Sequence, residues 1–264
     1  MKSVLITGGS EGIGYAFACH YASLGYHVVL AARRVSLLEE AKAELLRKYS
    51  CSVDIFPIDL SVIGNGEILY NQVDGKNLDV MINCAGYGMQ NRAHLIPIEA
   101  DEKMVIVNDV ALMTLSKLFI RDHLPRHHGM IINVSSTGAF QPGPNIASYY
   151  ASKSFVLSYS QALDAEVKSH GVRVYCLCPG PVDTAFYHKS GGKMSAYHMS
   201  AEDTVSWCMK HLGSNCVIVH DQSTSAACSN KDQNILSFKN EECSIGCMIE
   251  HFFGSEVQWI QRKQ

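Results

Sequence analysis

The segment Thr7-Gly8-Gly9-Ser10-Glu11-Gly12-Ile13-Gly14 separates an apolar run, Val4–Thr7, from an amphipathic stretch, Gly12–Leu24. A strand that passes through so short a turn into a helix reaches its next strand by a crossover, which makes the two strands parallel. The alternation then repeats: Val28–Ala32 and Leu37–Tyr49, Val53–Ile58 and a polar stretch, Val80–Asn83 and Pro97–Leu118, Met130–Ser135 and a helix over Ser148–Ser169. Strand Arg173–Cys178 closes on Pro179-Gly180, and a helix at Ala201–Leu212 leads to a last strand, Cys216–His220. Switching between strand and helix periods in this order predicts an α/β fold, a doubly wound parallel sheet with helices on both faces. Val172–Cys178 is apolar almost throughout, as a strand covered on both sides must be.

The chain has 264 residues, of which 47% are hydrophobic, enough for one continuous core. We expect one domain over 1–220 and a C-terminal extension over 221–264, where the sequence turns polar and turn-rich before a mixed amphipathic stretch. A net charge of −3 speaks against a general nucleic-acid surface. No run of about 18 apolar residues exists to form a transmembrane segment, and the start Met1-Lys2-Ser3-Val4 enters a strand directly. A soluble, cytoplasmic protein is expected. The ten cysteines are scattered, mostly in apolar segments, and read as reduced thiols packed as small hydrophobes. With no Cys-x-x-Cys pair, and with His127-His128 lacking further ligands at a suitable spacing, no metal site is expected.

Glycines at the first strand-to-helix turn let backbone N–H groups approach an anion that also meets the positive helix end, so Gly8, Ser10, Gly12, Ile13 and Gly14 are candidates to hold a dinucleotide pyrophosphate in a Rossmann-like fold. A site built for NAD places an acid at the end of the second strand; here Ala32 is followed by Arg33-Arg34. A guanidinium bonds a 2′-phosphate in a fork geometry where an acid would repel it, which points to NADP(H). Asp59, at the end of the third strand, has two possible uses: accepting from an adenine amino group, or capping the segment that follows.

Tyr149 and Lys153 stand four residues apart, on one face of the long helix. A free Tyr titrates near 10, and lowering that by about three pH units requires surroundings that favour the phenolate by about 4 kcal/mol. A neighbouring ammonium and a cationic cofactor supply such an environment. Tyr150 faces about 100° away and is expected to pack.

These motifs together resemble the short-chain dehydrogenase/reductase family over about residues 3–220. Thr7–Gly14 matches the family's T-G-x-x-x-G-x-G and Asn83-Cys84-Ala85-Gly86 its N-x-A-G. Asn108 falls at the helix asparagine, Ser136 lies thirteen residues before Tyr149, and Pro179-Gly180 matches the turn after the sixth strand. Gly138–Pro144, the Tyr149–Lys153 segment and Cys178–Pro181 look like the NADP-dependent branch that includes DltE-type oxidoreductases. Glu11 departs from the pattern, since many NADP-dependent relatives carry a basic or neutral residue there.

The resemblance implies an oxidoreductase that moves hydride between the nicotinamide and a carbonyl or secondary-alcohol substrate. Tyr149 would be the general acid and base, and Lys153 would lower its pKa and bond the nicotinamide ribose. Ser136 would hold the substrate oxygen, and Asn108 would position a water that links Lys153 to solvent. Thr7, Asn83, Ala85, Gly86, Pro179, Gly180, Val182 and Thr184 would contact or flank the cofactor. The resemblance also implies a homodimer or homotetramer formed through the helices starting near Pro97 and Ser148. Ala185–Met199, with Phe186, Tyr187, Met194, Tyr197 and Met199 around Gly191-Gly192, would cover the substrate. The alternatives are an NADP(H) sensor without turnover and a partner-binding subunit that uses the tail, where Cys243 and Cys247 would share one side of a helix.

Overall fold

Seven strands, β1 (Ser3–Thr7), β2 (His27–Ala32), β3 (Ser52–Pro57), β4 (Val80–Asn83), β5 (Gly129–Val134), β6 (Val172–Pro179) and β7 (Val217–His220), form one parallel sheet in the order β3-β2-β1-β4-β5-β6-β7. The computed structural model describes residues 1–186, 190–191, 198–213 and 215–221, all within one compact unit, Met1–Ser229. The chain order reverses between β1 and β4, where diverging connections open a crevice at the carboxyl ends of the strands.

Alternation along each strand splits the core into two layers. Val4, Ile6, Val28, Leu30, Ile82 and Ile132 face a layer that contains Ala16, Phe17 and Tyr21 of α1 (Gly12–Ser23), Leu38 of α2 (Val35–Lys48) and Val205 of α7 (Ala201–Lys210). Leu5, Val29, Met81, Ile131 and Val174 face the other, which includes Leu69 of α3 (Asn65–Gln72), Leu115 and Phe119 of α5 (Leu112–His123) and Leu163 of α6 (Ala147–Val167). Phe17 and Phe119 are fully buried on opposite sides of the sheet. Each contributes roughly 1.5–3 kcal/mol relative to an exposed ring. The doubly wound fold expected from the alternation is therefore the observed one.

Two elements differ from the expectation. The polar stretch after the third strand contains α3, a short helix that buries only Gly66, Leu69 and Tyr70. The helix expected over Pro97–Leu118 is divided into α4 (Ile98–Val105), a π-helical turn (Ile106–Ala111) and α5. The wider turn carries one more residue than an α-turn and lies where Val107, Asn108, Asp109, Ala111 and Leu112 are all buried.

Among the described residues no helix is long and apolar enough to cross a membrane, no cluster of three metal-binding side chains occurs, and the seven cysteines are free. The C-terminal extension, apart from Asp221, lies outside the described residues, as do Cys243, Cys247, Tyr187, Gly192, Met194 and Tyr197.

Candidate active site

A cleft of about 760 Å³ runs along the carboxyl ends of the strands. Its floor begins at the turn between β1 and α1. Gly8 and Gly12 have φ of 69° and 56°, left-handed conformations that a side chain would strain. A Cβ at Gly14 would lie 2.2 Å from the Gly8 carbonyl oxygen, so helix and turn pack in direct backbone contact. No side chain caps the amino end of α1 and no acid lies in its first turn, so its positive pole is left for a ligand at the cleft.

Ser10, Ile13, Ala85, Gly86, Pro179, Gly180, Val182 and Thr184 line the same cleft with the glycines. A Cβ on Gly12 would be 3.0 Å from the Thr184 methyl, so these two residues face each other. Gly180 donates its N–H to the His220 carbonyl at 2.7 Å, and Val182 pairs with Met199, which ties the segment after β6 back to the domain.

Thr7 and Asn83 stand behind the wall instead of lining it. The Thr7 hydroxyl accepts from the N–H groups of Cys84 and Ala85, both at 3.1 Å, and thereby sets the backbone that does line the cleft. Asn83 is buried in a polar ladder across β4 and β5: its amide donates to Ser116 Oγ (3.2 Å) and Asn133 Oδ1 (2.9 Å), and Asn133 donates to Ser160 Oγ at 2.9 Å.

At the end of the cleft near β2 and β3, the Arg33 guanidinium lies 6.0 Å from the centre of the Tyr87 ring. Arg34 forms an ion pair with Glu11, so the residue that departs from the family pattern holds one of the two guanidiniums. Asp59 lines the cleft and also caps: its Oδ1 accepts from the N–H (2.9 Å) and hydroxyl (2.8 Å) of Ser61. Burial opposes ionisation of this carboxyl, but the Ser61 hydrogen bonds and the charges of Arg33 and Lys103 hold its pKa below the ordinary value.

Ser136, Tyr149 and Lys153 all line the cleft. Ser136 Oγ accepts the Gly138 N–H at 3.1 Å, which leaves the hydroxyl proton available to a ligand. Lys153 Nζ donates to the Val134 carbonyl at 2.9 Å and lies 5.6 Å from the centre of the Tyr149 ring. Burial pushes the Lys153 pKa down, opposed by Cys84 and Asp109. Gly88 makes room for the phenol, since a Cβ there would lie 2.9 Å from Tyr149 Cδ2, and the Phe186 ring centre is 5.3 Å from that of Tyr149.

Asn108 is buried in the π-turn, and its side chain does not line the cleft. Its amide accepts the Tyr87 N–H (3.1 Å) and donates to the Tyr87 carbonyl (3.0 Å) and to Ser152 Oγ (3.0 Å). Oδ1 keeps a second lone pair, and a Cβ at Gly86 would lie 3.0 Å from it and 3.4 Å from Lys153 Nζ, so the amide oxygen and the ammonium flank one spot.

Sequence reasoning passed over two features. Tyr150, expected to pack, lines the cleft with Gln90 and Gln141. Asp109 is buried beside Asn108, its Oδ1 has no hydrogen bond, and burial raises its pKa to about 7 against the pull of Lys153. The signal for Asp109 was an acid that, apart from Asn108, stands in an apolar helical run, Val105–Leu112.

The family model for short chain dehydrogenase matches residues 2–194. A very-long-chain 3-oxoacyl-CoA reductase of Phaeosphaeria nodorum is 31% identical over 192 residues, covering 69% of this chain and 55% of its own length. A dehydrogenase/reductase SDR family protein 7-like of Anopheles gambiae is 31% identical over 228 residues, 80% of this chain and 72% of that one. The chain thus spans little more than half the length of several curated relatives that it matches. An alcohol dehydrogenase from the archaeon Thermococcus sibiricus, solved with 5-hydroxy-NADP, is similar with a TM-score of 0.72 at 26% identity, covering 83% of this chain and 94% of that one. A short-chain dehydrogenase from Sphingobium yanoikuyae in complex with NADPH shares the fold with a TM-score of 0.80 at 24% identity, covering 89% and 99%. A model match over most of the chain, on a sheet of this order with this glycine turn, makes the protein a member of the short-chain dehydrogenase family.

Proposed function

We propose that this protein is an NADP(H)-dependent oxidoreductase that interconverts a carbonyl compound and a secondary alcohol, with Tyr149 as general acid and base. The observation that carries the reading is that Ser136, Tyr149 and the buried Lys153 line one cleft together with the glycine turn and Arg33. The Gly8–Gly14 turn fits a pyrophosphate because its residues line the cleft at the amino end of α1, which has no side-chain cap and no acid in its first turn. Gly8, Ser10, Gly12, Ile13 and Gly14 would hold the phosphates, and Arg33 the 2′-phosphate. Asp59 would meet the adenine, and Ala85, Gly86, Pro179, Gly180, Val182 and Thr184 would surround the nicotinamide half. The bound cofactor supplies or accepts the hydride.

The chain's own residues manage the proton and the charge. The Ser136 hydroxyl, with its oxygen already bonded to the Gly138 N–H, donates to the substrate oxygen and fixes it beside Tyr149. Tyr149 gives its proton to that oxygen in reduction and takes it back in oxidation. The Lys153 ammonium, anchored on the Val134 carbonyl, favours the phenolate and so brings Tyr149 closer to neutral pH. Asn108, whose Oδ1 and Lys153 Nζ both flank Gly86, would position a water that links Lys153 to solvent.

The apolar side chains exposed on α4 and α6, Ile98, Val105 and Phe155, support a homodimer or homotetramer formed through these helices. Free cysteines support a reducing compartment, the cytoplasm. We assign the catalytic unit to residues 1–220. The test is NADPH oxidation by the purified protein with a panel of medium-chain aldehydes, diketones, 3-oxoacyl thioesters and ketosteroids. Consumption with at least one member is expected; a protein that binds NADPH and consumes none would instead be a sensor.

A further inference from the structure

Two neighbouring phenols, not one, line the cleft. The ring centres of Tyr149 and Tyr150 are 6.1 Å apart with planes inclined at 59°. The Tyr150 ring is seated on two glycines of the loop before α6. A Cβ at Gly138 would lie 2.8 Å from its Cε1, and one at Gly143 would lie 2.5 Å from its Cδ2. No side chain larger than hydrogen fits at either place without moving the ring, so loop and ring are shaped to each other. Its hydroxyl makes no hydrogen bond with the described residues.

Gly138 links this shelf to the reacting centre. Its N–H donates to Ser136 Oγ at 3.1 Å, so one residue sets both the hydroxyl that would hold the substrate oxygen and the ring beside it. Among the described residues, the charged side chains that line the cleft are Glu11, Arg33, Arg34 and Asp59 at the β2–β3 end, and Lys153, held against Val134. Ile146 shares the Gly143 contact with the Tyr150 ring, and the described lining also includes the neutral Gln141, Pro142 and Phe186. A second polar group of the substrate would therefore meet an uncharged donor, which suits a keto, ester or thioester oxygen better than a carboxylate.

Resting on the oxidoreductase reading above, we propose that Tyr150 is a specificity-determining residue whose phenol donates a hydrogen bond to a second, uncharged oxygen of the substrate. The favoured substrates are dicarbonyl compounds of the 3-oxo ester or 1,3-diketone class, in preference to simple ketones of the same length.

The experiment compares kcat/KM with NADPH for a 3-oxo ester and for a chain-matched simple ketone, in the wild type, Tyr150→Phe and Gly143→Ala. The wild type is expected to favour the 3-oxo ester, and Tyr150→Phe to lower the ratio of the two kcat/KM values by about tenfold, mainly through KM, as the loss of one uncharged hydrogen bond implies. Gly143→Ala keeps the phenol but displaces the ring, and should lower the same ratio. Because the readout is a ratio, a general loss of folded enzyme leaves it unchanged. A wild-type ratio in both variants overturns the proposal. A wild type inert toward both compounds but active on another carbonyl of the panel overturns this inference alone, and one inert toward the whole panel overturns the oxidoreductase reading and this inference with it.

Discussion

Lys153 Nζ lies 5.6 Å from the centre of the Tyr149 ring while it donates to the Val134 carbonyl at 2.9 Å. The ammonium is therefore fixed by the backbone of β5 at a distance where its charge acts on the phenol without depending on the phenol for its position.

Removing the hydroxyl alone should stop proton transfer and spare binding. Tyr149→Phe is expected to lower kcat by roughly 10²–10⁴-fold while NADPH affinity, followed by cofactor fluorescence, stays within a few-fold. Undiminished turnover would sink the mechanism. Lys153→Met should move half-maximal alcohol oxidation to higher pH, because the phenolate loses its cation.

Cofactor choice should depend on the two guanidiniums unequally. Glu11 already pairs with Arg34, whereas Arg33 lies over Tyr87. Arg33→Ala is expected to weaken NADPH about tenfold or more and NADH little, and Arg34→Ala to have the smaller effect. Dissociation constants for both cofactors decide this, and an equal loss for both would remove the 2′-phosphate argument.

Asp109 makes stability depend on pH. Burial raises its pKa from 3.8 to about 7, so between those values the folded protein holds a proton that the unfolded chain has released. Stability conferred by this group is thus full below about pH 4, falls as pH rises, and is lost above about pH 7, by at most roughly 4 kcal/mol. Asp109→Asn should flatten this part of the profile. Urea midpoints at pH 5 and pH 8 should differ less in the variant than in the wild type, and an unchanged difference would exclude the linkage.

Gly14 and Gly25 offer a graded test of close approach. A Cβ at Gly14 would meet the Gly8 oxygen at 2.2 Å, while at Gly25, with φ of 74°, nothing lies within 4 Å. Gly25→Ala should cost about 1 kcal/mol for its backbone conformation alone. Gly14→Ala should cost more, on the order of 3 kcal/mol, and weaken NADPH as well. Thermal melts with and without NADPH separate the two effects.

The sheet was legible because strands covered on both faces must be apolar runs, and the crossovers between them must be helical. The polar Asn65-Gly66-Glu67 start of α3 carries no such mark, and that helix was missed. The π-turn was hidden for a different reason: it accompanies Asn108 reaching the backbone of Tyr87, a partner twenty-one positions away that no local periodicity reveals. Tyr150 was judged from its direction on the helix, whereas its surroundings are decided by Gly138 and Gly143, which the loop brings against its ring. The ion pair between Glu11 and Arg34 likewise joins two segments that only the finished turn and strand bring together.

The π-turn at Ile106–Ala111 adds a residue to what is otherwise one long rod, and each added residue advances the winding by about 100°. The stripe that α4 turns outward, with Ile98 and Val105 exposed, is therefore not the continuation of the stripe on α5. Excising a single residue there would act as a torsional edit: it would swing one half of the rod about its axis relative to the other and change which residues the two halves present together, even if every remaining side chain were kept.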